Sequence, residues 1–185
     1  MTRKVYQDYL AHLDAYLLNG VNEIGAQFQN KNEIELIPSL GNITSDLLII
    51  HEGPAYHNHS AFLSDEETTS LSKILNSINK SIETTYITCI NKSKQLNKQE
   101  LKNLILKEIE SSSSNVVLCL GAKTSQFMLE DKLKSYQDLS TWDELVTNNK
   151  TVSIVTIPSL SEMKADPSLK RPAWEQLKKL SSHIQ

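Results

Sequence analysis

The chain has 185 residues, with 19 Lys and Arg against 22 Asp and Glu, so its formal net charge is −3. This length suits one domain with a substantial core. The weak negative charge excludes attraction of the whole molecule to nucleic acid or acidic membranes, so such contact would need a local basic patch. No apolar run approaches the roughly 20 residues that cross a bilayer, and residues 1–18 lack signal-peptide features. We therefore expect a cytoplasmic protein.

The first 20 residues predict an amphipathic helix that ends at Asn19-Gly20. We assign residues 1–20 to this element and residues 21–185 to one α/β domain. Two interpretations of the helix stay open, because its stripe could pack on the domain or bind a partner through aromatic anchors. The stripe repeats at helical spacing and consists of Tyr6, Tyr9, Leu10, Leu13, Tyr16 and Leu17.

Apolar strand-like runs alternate with helical patterns along the rest of the chain. Strands are predicted at 46–50, 84–90, 115–121 and 151–159, and helices at 65–79, 97–110, after 121 and from Pro172 onward. Ser64 and Glu67 have capping-box spacing. The alternation predicts a three-layer αβα fold with a mostly parallel, four-stranded central sheet. Cys89 and Cys119 fall within strands, which predicts buried, reduced thiols.

Ligands bind beyond the carboxyl ends of strands in such sheets. Three polar segments follow predicted strands: HEGPAYHNHSAF at 51–62, NKSKQLN at 91–97 and IPSLSEMK at 157–164. We expect them to form one cleft.

Several of these segments, in order, resemble the uracil-DNA glycosylase superfamily, especially its thermophile-type family 4. The family's Gly-Glu-Ala-Pro-Gly loop is matched by residues 51–55, and its Pro-Phe turn by Ala61-Phe62. Its Tyr-Ile-Thr-Asn strand is matched by residues 86–89, and its His-Pro-Ser loop by residues 157–159. The similarity extends over about residues 46–180.

The resemblance implies a retained fold with a weakened or lost reaction. The family uses the histidine of its His-Pro-Ser loop to stabilise the departing base, and an asparagine after the second strand to bind the base edge; this chain has Ile157 and Cys89 there. Losing one preorganised donor typically costs about 10²–10³ in rate. The predicted remnant of the base pocket comprises Glu52, Gly53, Pro54, Phe62, Cys89, Ile157, Pro158 and Ser159. Two cysteines cannot supply the four thiolates of the family 4 iron-sulfur cluster, so no cofactor and no metal is expected.

The tail IPSLSEMKADPSLKRPAWEQL is also similar to the psi accessory subunit of bacterial polymerase III clamp loaders, a catalytically degenerate glycosylase-like family. This similarity implies partners that resemble the chi subunit and the clamp-loader collar proteins. The predicted docking residues are Arg3, Lys4, Tyr6, Tyr9, Leu13 and Tyr16. The alternatives are a divergent DNA glycosylase that uses Glu52 and Phe62, and a small-ligand binder that uses the same cleft.

Individual residues keep more than one interpretation. Glu52 could be a vestigial acid, a loop carboxylate or a helix cap, and Phe62 a core residue or a base platform. The segment 57–59, His-Asn-His, could bind a metal, but an exposed polar loop is the commoner case. The series Lys92, Lys94, Lys98 and Lys102 could meet phosphates but predicts a solvated helix edge, and Trp174 is expected to pack the last helix onto the sheet.

Overall fold

The computed structural model describes residues 36–53, 63–130 and 142–184. The predicted N-terminal helix lies outside these ranges, as do Pro54, Phe62 and the His-Asn-His segment at 57–59. Their predicted roles remain predictions.

Strands and helices alternate through the described residues. The strands are β1 (Leu47–His51), β2 (Tyr86–Cys89), β3 (Val116–Leu120), β4 (Asp143–Val146) and β5 (Thr151–Ile157). The helices are α1 (Asp65–Asn76), α2 (Lys98–Ser111), α3 (Ala122–Leu129), α4 (Leu160–Ala165) and α5 (Lys170–Ser181), with a 3₁₀ turn at Pro167–Leu169. Ser64 caps α1 in the predicted capping box with Glu67.

The five strands form one sheet in the order β2-β1-β3-β5-β4. The first four are parallel neighbours, with Ile49 aligned with Ile87 on one side and Leu118 on the other. Each crossover between parallel strands contains a helix, as parallel pairing requires. The α/β prediction is confirmed, and the carboxyl ends of these four strands share one edge of the sheet.

Two apolar clusters cover the two faces of the sheet. One cluster joins Ile49, Leu118 and Val155 to side chains of α1, α4 and α5, such as Leu71 and Leu177. The other joins the alternate strand residues to side chains of α2 and α3. Because successive strand residues point to opposite faces, each of the four parallel strands contributes to both clusters, which gives three layers.

The predicted strand count was wrong, because β4 pairs antiparallel with β5 at the edge of the sheet. Its sequence, DELV, has no apolar run, and its burial alternates between half-buried and exposed. A four-residue edge strand needs only one partner and one covered face, so its sequence carries little signal.

Three further expectations were wrong at the level of single residues. The last helix begins at Lys170, two residues before Pro172. Trp174 is 41% exposed instead of packing the helix onto the sheet. Within the lysine series, Lys92 and Lys102 are buried. Their neighbours in the fold, described below, explain how these two charges are accommodated.

Across the described ranges, none of the helices combines the length and the apolar character needed to span a membrane.

Candidate functional site at the carboxyl edge of the sheet

Backbone hydrogen bonds continue past the strand ends and hold the following loops together. The amide of Asn91 donates to the carbonyl of Glu52 over 3.1 Å, and the amide of Gly121 donates to the carbonyl of Ile157 over 2.8 Å. The three segments predicted to converge therefore start from one edge, and the turn after β3 joins them. That fourth segment was not among the predicted ones, although it follows a predicted strand as the others do.

Glu52 directly follows β1, and its side chain pairs with Lys123, the second residue of α3. Lys123 Nζ is 3.0 Å from Glu52 Oε1, and both side chains are about half exposed or more. Sequence reasoning missed Lys123, and its position two residues after Gly121 was the available signal. An exposed pair of this kind contributes at most about 1 kcal/mol and stays open to solvent.

Gly53 packs directly against Cys89, the residue predicted to stand in place of the family's base-reading asparagine. Its φ is +99°, and a Cβ atom built there would lie 3.1 Å from Cys89 Cβ and 3.4 Å from Asn91 Cβ. The positive φ and the close approach both favour glycine. Asn91 is thus adjacent to the predicted pocket remnant, two residues beyond Cys89; it begins the predicted cleft segment 91–97 but was not singled out as a site residue.

Cys89 itself offers no polar surface to the cleft. The side chain is 0% exposed, and burial raises the pKa of its thiol to about 12. It therefore stays a neutral, weakly polar thiol at physiological pH.

His51, the last residue of β1, is buried beside these groups. Its Nδ1 accepts a hydrogen bond from the amide of Gly53 over 3.1 Å, so the neutral ring carries its proton on Nε2. Burial is the main reason that the pKa of His51 falls to about 4, with Glu67 raising it and Lys92 lowering it. At neutral pH the imidazole is therefore uncharged.

On the far side of the edge, Ile157 is 0% exposed and belongs to the apolar cluster with Leu120 and Met163. Pro158 is also buried. Ile157 and Cys89 lie on strands separated by β1 and β3, which corresponds to about 14 Å at the usual spacing of neighbouring strands. Neither Cys89 nor Ile157 has a strong hydrogen-bonding side chain of the kind that holds a base.

Ser159 is engaged in a structural role as the N-cap of α4. Its hydroxyl accepts from the amide of Glu162, and its own amide donates to Glu162 Oε2 over 2.7 Å. Gly121 makes room for this cap, because a Cβ at its φ of +98° would lie 3.1 Å from Ser159 Cβ.

Lys92 lies just beyond Asn91, but its ammonium is directed into the layer between the sheet and α2. It is 2.7 Å from Glu108 Oε1 and donates to Ser39 Oγ over 2.8 Å. Thr88 Oγ1 donates to Glu108 Oε2 over 2.6 Å. Lys102, farther along α2, pairs with Glu130. These two lysines are committed to the fold and are not available to phosphates.

Metal ligands are not grouped among the residues that the structure describes, where no three His, Cys, Asp or Glu side chains converge. Cys89 shares the face of Ile87, whereas Cys119 belongs to the cluster on the opposite face. The two thiols are free and buried, as predicted, and their placement does not suit a four-thiolate iron-sulfur cluster.

The chemistry at this edge is therefore restricted. Among the described residues, an exposed carboxylate, an exposed ammonium, an amide side chain and a neutral buried imidazole accompany a buried thiol and aliphatic side chains at this edge. A carboxylate can accept a proton or orient a water molecule, but Cys89 and Ile157 contribute no donor for an oxyanion.

Comparison with known proteins agrees with the fold. The model of the uracil DNA glycosylase superfamily matches residues 38–178. A comparison with curated proteins found no match. The matched range covers well over half of the chain and includes all five strands and four of the helices completely. The chain belongs to the uracil DNA glycosylase superfamily.

Proposed function

We propose that this chain is a non-catalytic member of the superfamily that acts through protein-protein contacts in the DNA replication machinery, as psi-like clamp-loader subunits do. The observation that carries the loss of catalysis is the burial of Cys89 and Ile157, each 0% exposed. These positions correspond to the family's base-reading asparagine and charge-stabilising histidine. A buried thiol and an aliphatic side chain cannot replace preorganised donors.

The arrangement around the remaining groups supports the same conclusion. Glu52 is paired with Lys123 on the surface, and the Ser159 hydroxyl caps a helix. Glu52 and Ser159, two polar members of the predicted pocket remnant, therefore each have a partner within the fold. The assignment to replication rests on the similarity of the tail to psi and on the N-terminal stripe, both of which are sequence features.

A base-release assay tests the catalytic half of the proposal. Pure full-length protein is incubated with uracil-containing single-stranded and duplex DNA, and abasic sites are converted to strand breaks. We expect no breaks above background, with an active glycosylase as the positive control. Base release that disappears in Glu52→Gln would overturn the proposal.

Affinity purification of the full chain from its native cell tests the partner half. We expect clamp-loader subunits to co-purify, and deletion of residues 1–18 to remove the collar contact while the far-ultraviolet circular dichroism of the α/β domain persists. Tyr9→Ala/Leu13→Ala should weaken that contact, whereas Asp8→Ala, on the opposite side of the predicted helix, should not. Unchanged capture after the deletion would refute the docking assignment.

The competing function is a divergent DNA glycosylase, and the exposure of Glu52 favours it. The carboxylate is about half exposed at the mouth of the edge, where a water molecule and a DNA strand could reach it. The Glu52→Gln comparison in the base-release assay separates this function from the proposed one.

A further inference from the structure

The outward face of α5 carries a tryptophan surrounded by cations. Ala173, Leu177 and Leu180 form its inner face against the apolar cluster. Lys170, Arg171, Trp174 and Lys178 are all exposed and lie within about 100° of one another around the helix, next to its buried face. We call these four residues the α5 stripe.

The spacing of the stripe places cations on both sides of the indole. Lys170, Trp174 and Lys178 follow one another at intervals of four residues, so they line up along the helix over about 12 Å. Lys178 Nζ lies 5.7 Å from the centroid of the Trp174 ring. The helix thus offers a flat aromatic surface between two positive ends.

The net charge of α5 is positive, whereas that of the whole chain is negative. Lys170, Arg171, Lys178 and Lys179 oppose Glu175 alone, so four positive charges and one negative charge give the helix +3 in a chain of −3. Glu175 pairs with Lys178 at 3.0 Å, but both side chains are more than half exposed. A polyanion can displace such a solvent-exposed carboxylate at little cost. This helix is the local basic patch that contact with nucleic acid requires.

We propose that the α5 stripe binds single-stranded nucleic acid, with a base stacked on Trp174 and neighbouring phosphates held by Lys170, Arg171 and Lys178. Stacking on an exposed aromatic ring beside cations is the usual chemistry of sequence-tolerant single-strand binding. Unstacked bases are required, because paired bases in a duplex keep their faces covered.

A protein partner fits the stripe less well. Stable protein interfaces bury about 800 Å² on each side around an apolar centre, and lysine is depleted there. Among the described residues, the large hydrophobic side chains that are exposed are Trp174 and Val146, and Val146 belongs to the edge strand β4 and not to α5. A single indole among lysines can stack with a base, but it lacks the apolar neighbours that surround the centre of a protein interface.

The proposal is independent of the proposed function, since it concerns neither the carboxyl edge nor residues 1–18. Fluorescence anisotropy of an end-labelled oligothymidylate of about 12 nucleotides, a length within the usual site sizes, measures binding to the full chain. We expect binding that weakens as salt rises. Trp174→Ala should weaken binding about tenfold or more, and Trp174→Phe should weaken it less.

Charge variants test the role of the cations in holding phosphates. In Lys170→Glu/Arg171→Glu, the slope of log affinity against log salt should fall by about 0.7 for each phosphate that the variant no longer neutralises. Lys73→Glu, which alters an exposed cation on α1, is the matched control and should leave affinity and slope unchanged. Circular dichroism verifies that each variant is folded.

Four results would overturn the proposal. They are absence of binding at low salt, unchanged binding by Trp174→Ala, an equal loss in Lys73→Glu, and equal competition by duplex DNA or polyglutamate. Equal competition would mean that charge alone, without stacking, accounts for binding.

Discussion

Lys92 and Glu108 form an ion pair that is almost wholly removed from solvent, with side chains 0% and 1% exposed. The pair connects the segment after β2 to α2, and Ser39 and Thr88 satisfy its remaining hydrogen-bonding groups. The backbone of Ile37 also donates to the carbonyl of Lys92 over 2.8 Å. Residues 37–39 are therefore held against the edge of β2 by this cluster, together with the backbone bridge between Leu40 and Ile87.

Removal of one partner of this pair should be costly. Lys92→Met leaves the carboxylate of Glu108 buried without its cation, and we expect a loss of about 3–5 kcal/mol in the free energy of unfolding. Lys92→Met/Glu108→Gln should cost less than the sum of the two single changes, because both charges are then absent. Denaturant unfolding of the four proteins measures the coupling.

The exposed pair of Lys164 and Glu66, with side chains 67% and 66% exposed, provides the matched control. Lys164→Met should change stability by no more than about 1 kcal/mol. If Lys92→Met costs no more than Lys164→Met, the buried pair does not stabilise the fold in the way described.

Among the secondary-structure elements, three helices begin with the same device. Ser64, Asn97 and Ser159 each accept a hydrogen bond through the side chain from the backbone amide of the glutamate three residues later. Their own backbone amides donate to the carboxylate of that glutamate. The sequence predicted the Ser64 box from its spacing, but interpreted Ser159 as a remnant of a base pocket. In the structure the Ser159 hydroxyl serves the start of α4, a helix of only six residues.

Ser159→Ala should therefore behave as the loss of a helix cap. We expect a loss of about 1 kcal/mol in stability, close to the effect of Ser64→Ala at the start of α1. Ser168, which bonds within the Asp166 turn and is exposed, provides a serine outside any of these boxes, and Ser168→Ala should cost less. Thermal unfolding compares the three variants. A neutral Ser159→Ala would contradict the capping role.

At the scale of the whole molecule, acid sensitivity should reflect one buried imidazole. Burial lowers the pKa of His51 from 6.5 to about 4, so the unfolded chain takes up this proton first as the pH falls. The contribution of His51 to the free energy of unfolding is fully present above about pH 6.5. It decreases by about 3 kcal/mol in total as the pH falls to about 4. Asp166 and Glu83, whose carboxyl pKa values are lowered by hydrogen bonds to Ser168 and Ser81, extend the loss at lower pH.

His51→Asn keeps an acceptor near the amide of Gly53 and removes the titrating ring. We expect the stability of this variant to vary less between about pH 6.5 and 4 than that of the unmodified chain. His183→Asn, at an exposed position of the C-terminal turn, is the control for a change from imidazole to amide at the surface. If stability falls equally with pH in His51→Asn and in the unmodified protein, the loss of stability between about pH 6.5 and 4 does not come from His51.

The fold was predictable because strands buried on both faces need nearly continuous apolar sequence. Leu47–His51 and Val116–Leu120 have that character, and the helices between them have apolar positions at helical spacing. Strand β4 had no comparable pattern, because it is an edge strand that pairs only with β5 and leaves much of its surface outside the core. The polar segments at the carboxyl edge were predictable for a related reason, as polar loops that follow buried strands must meet at one edge of a parallel sheet.

By itself, the sequence determined the α/β class, the alternation of strands and helices and the buried thiols, and it predicted that Cys89 and Ile157 replace two groups of the family. Periodicity and residue chemistry are local properties, so a single chain displays them. Only the tertiary structure decided that Lys92 is buried against Glu108, that Lys123 meets Glu52 and that Trp174 faces outward. Those outcomes depend on which distant segments are neighbours and on which side of a helix is already covered by the sheet, and neither is written in the spacing of residues along the chain.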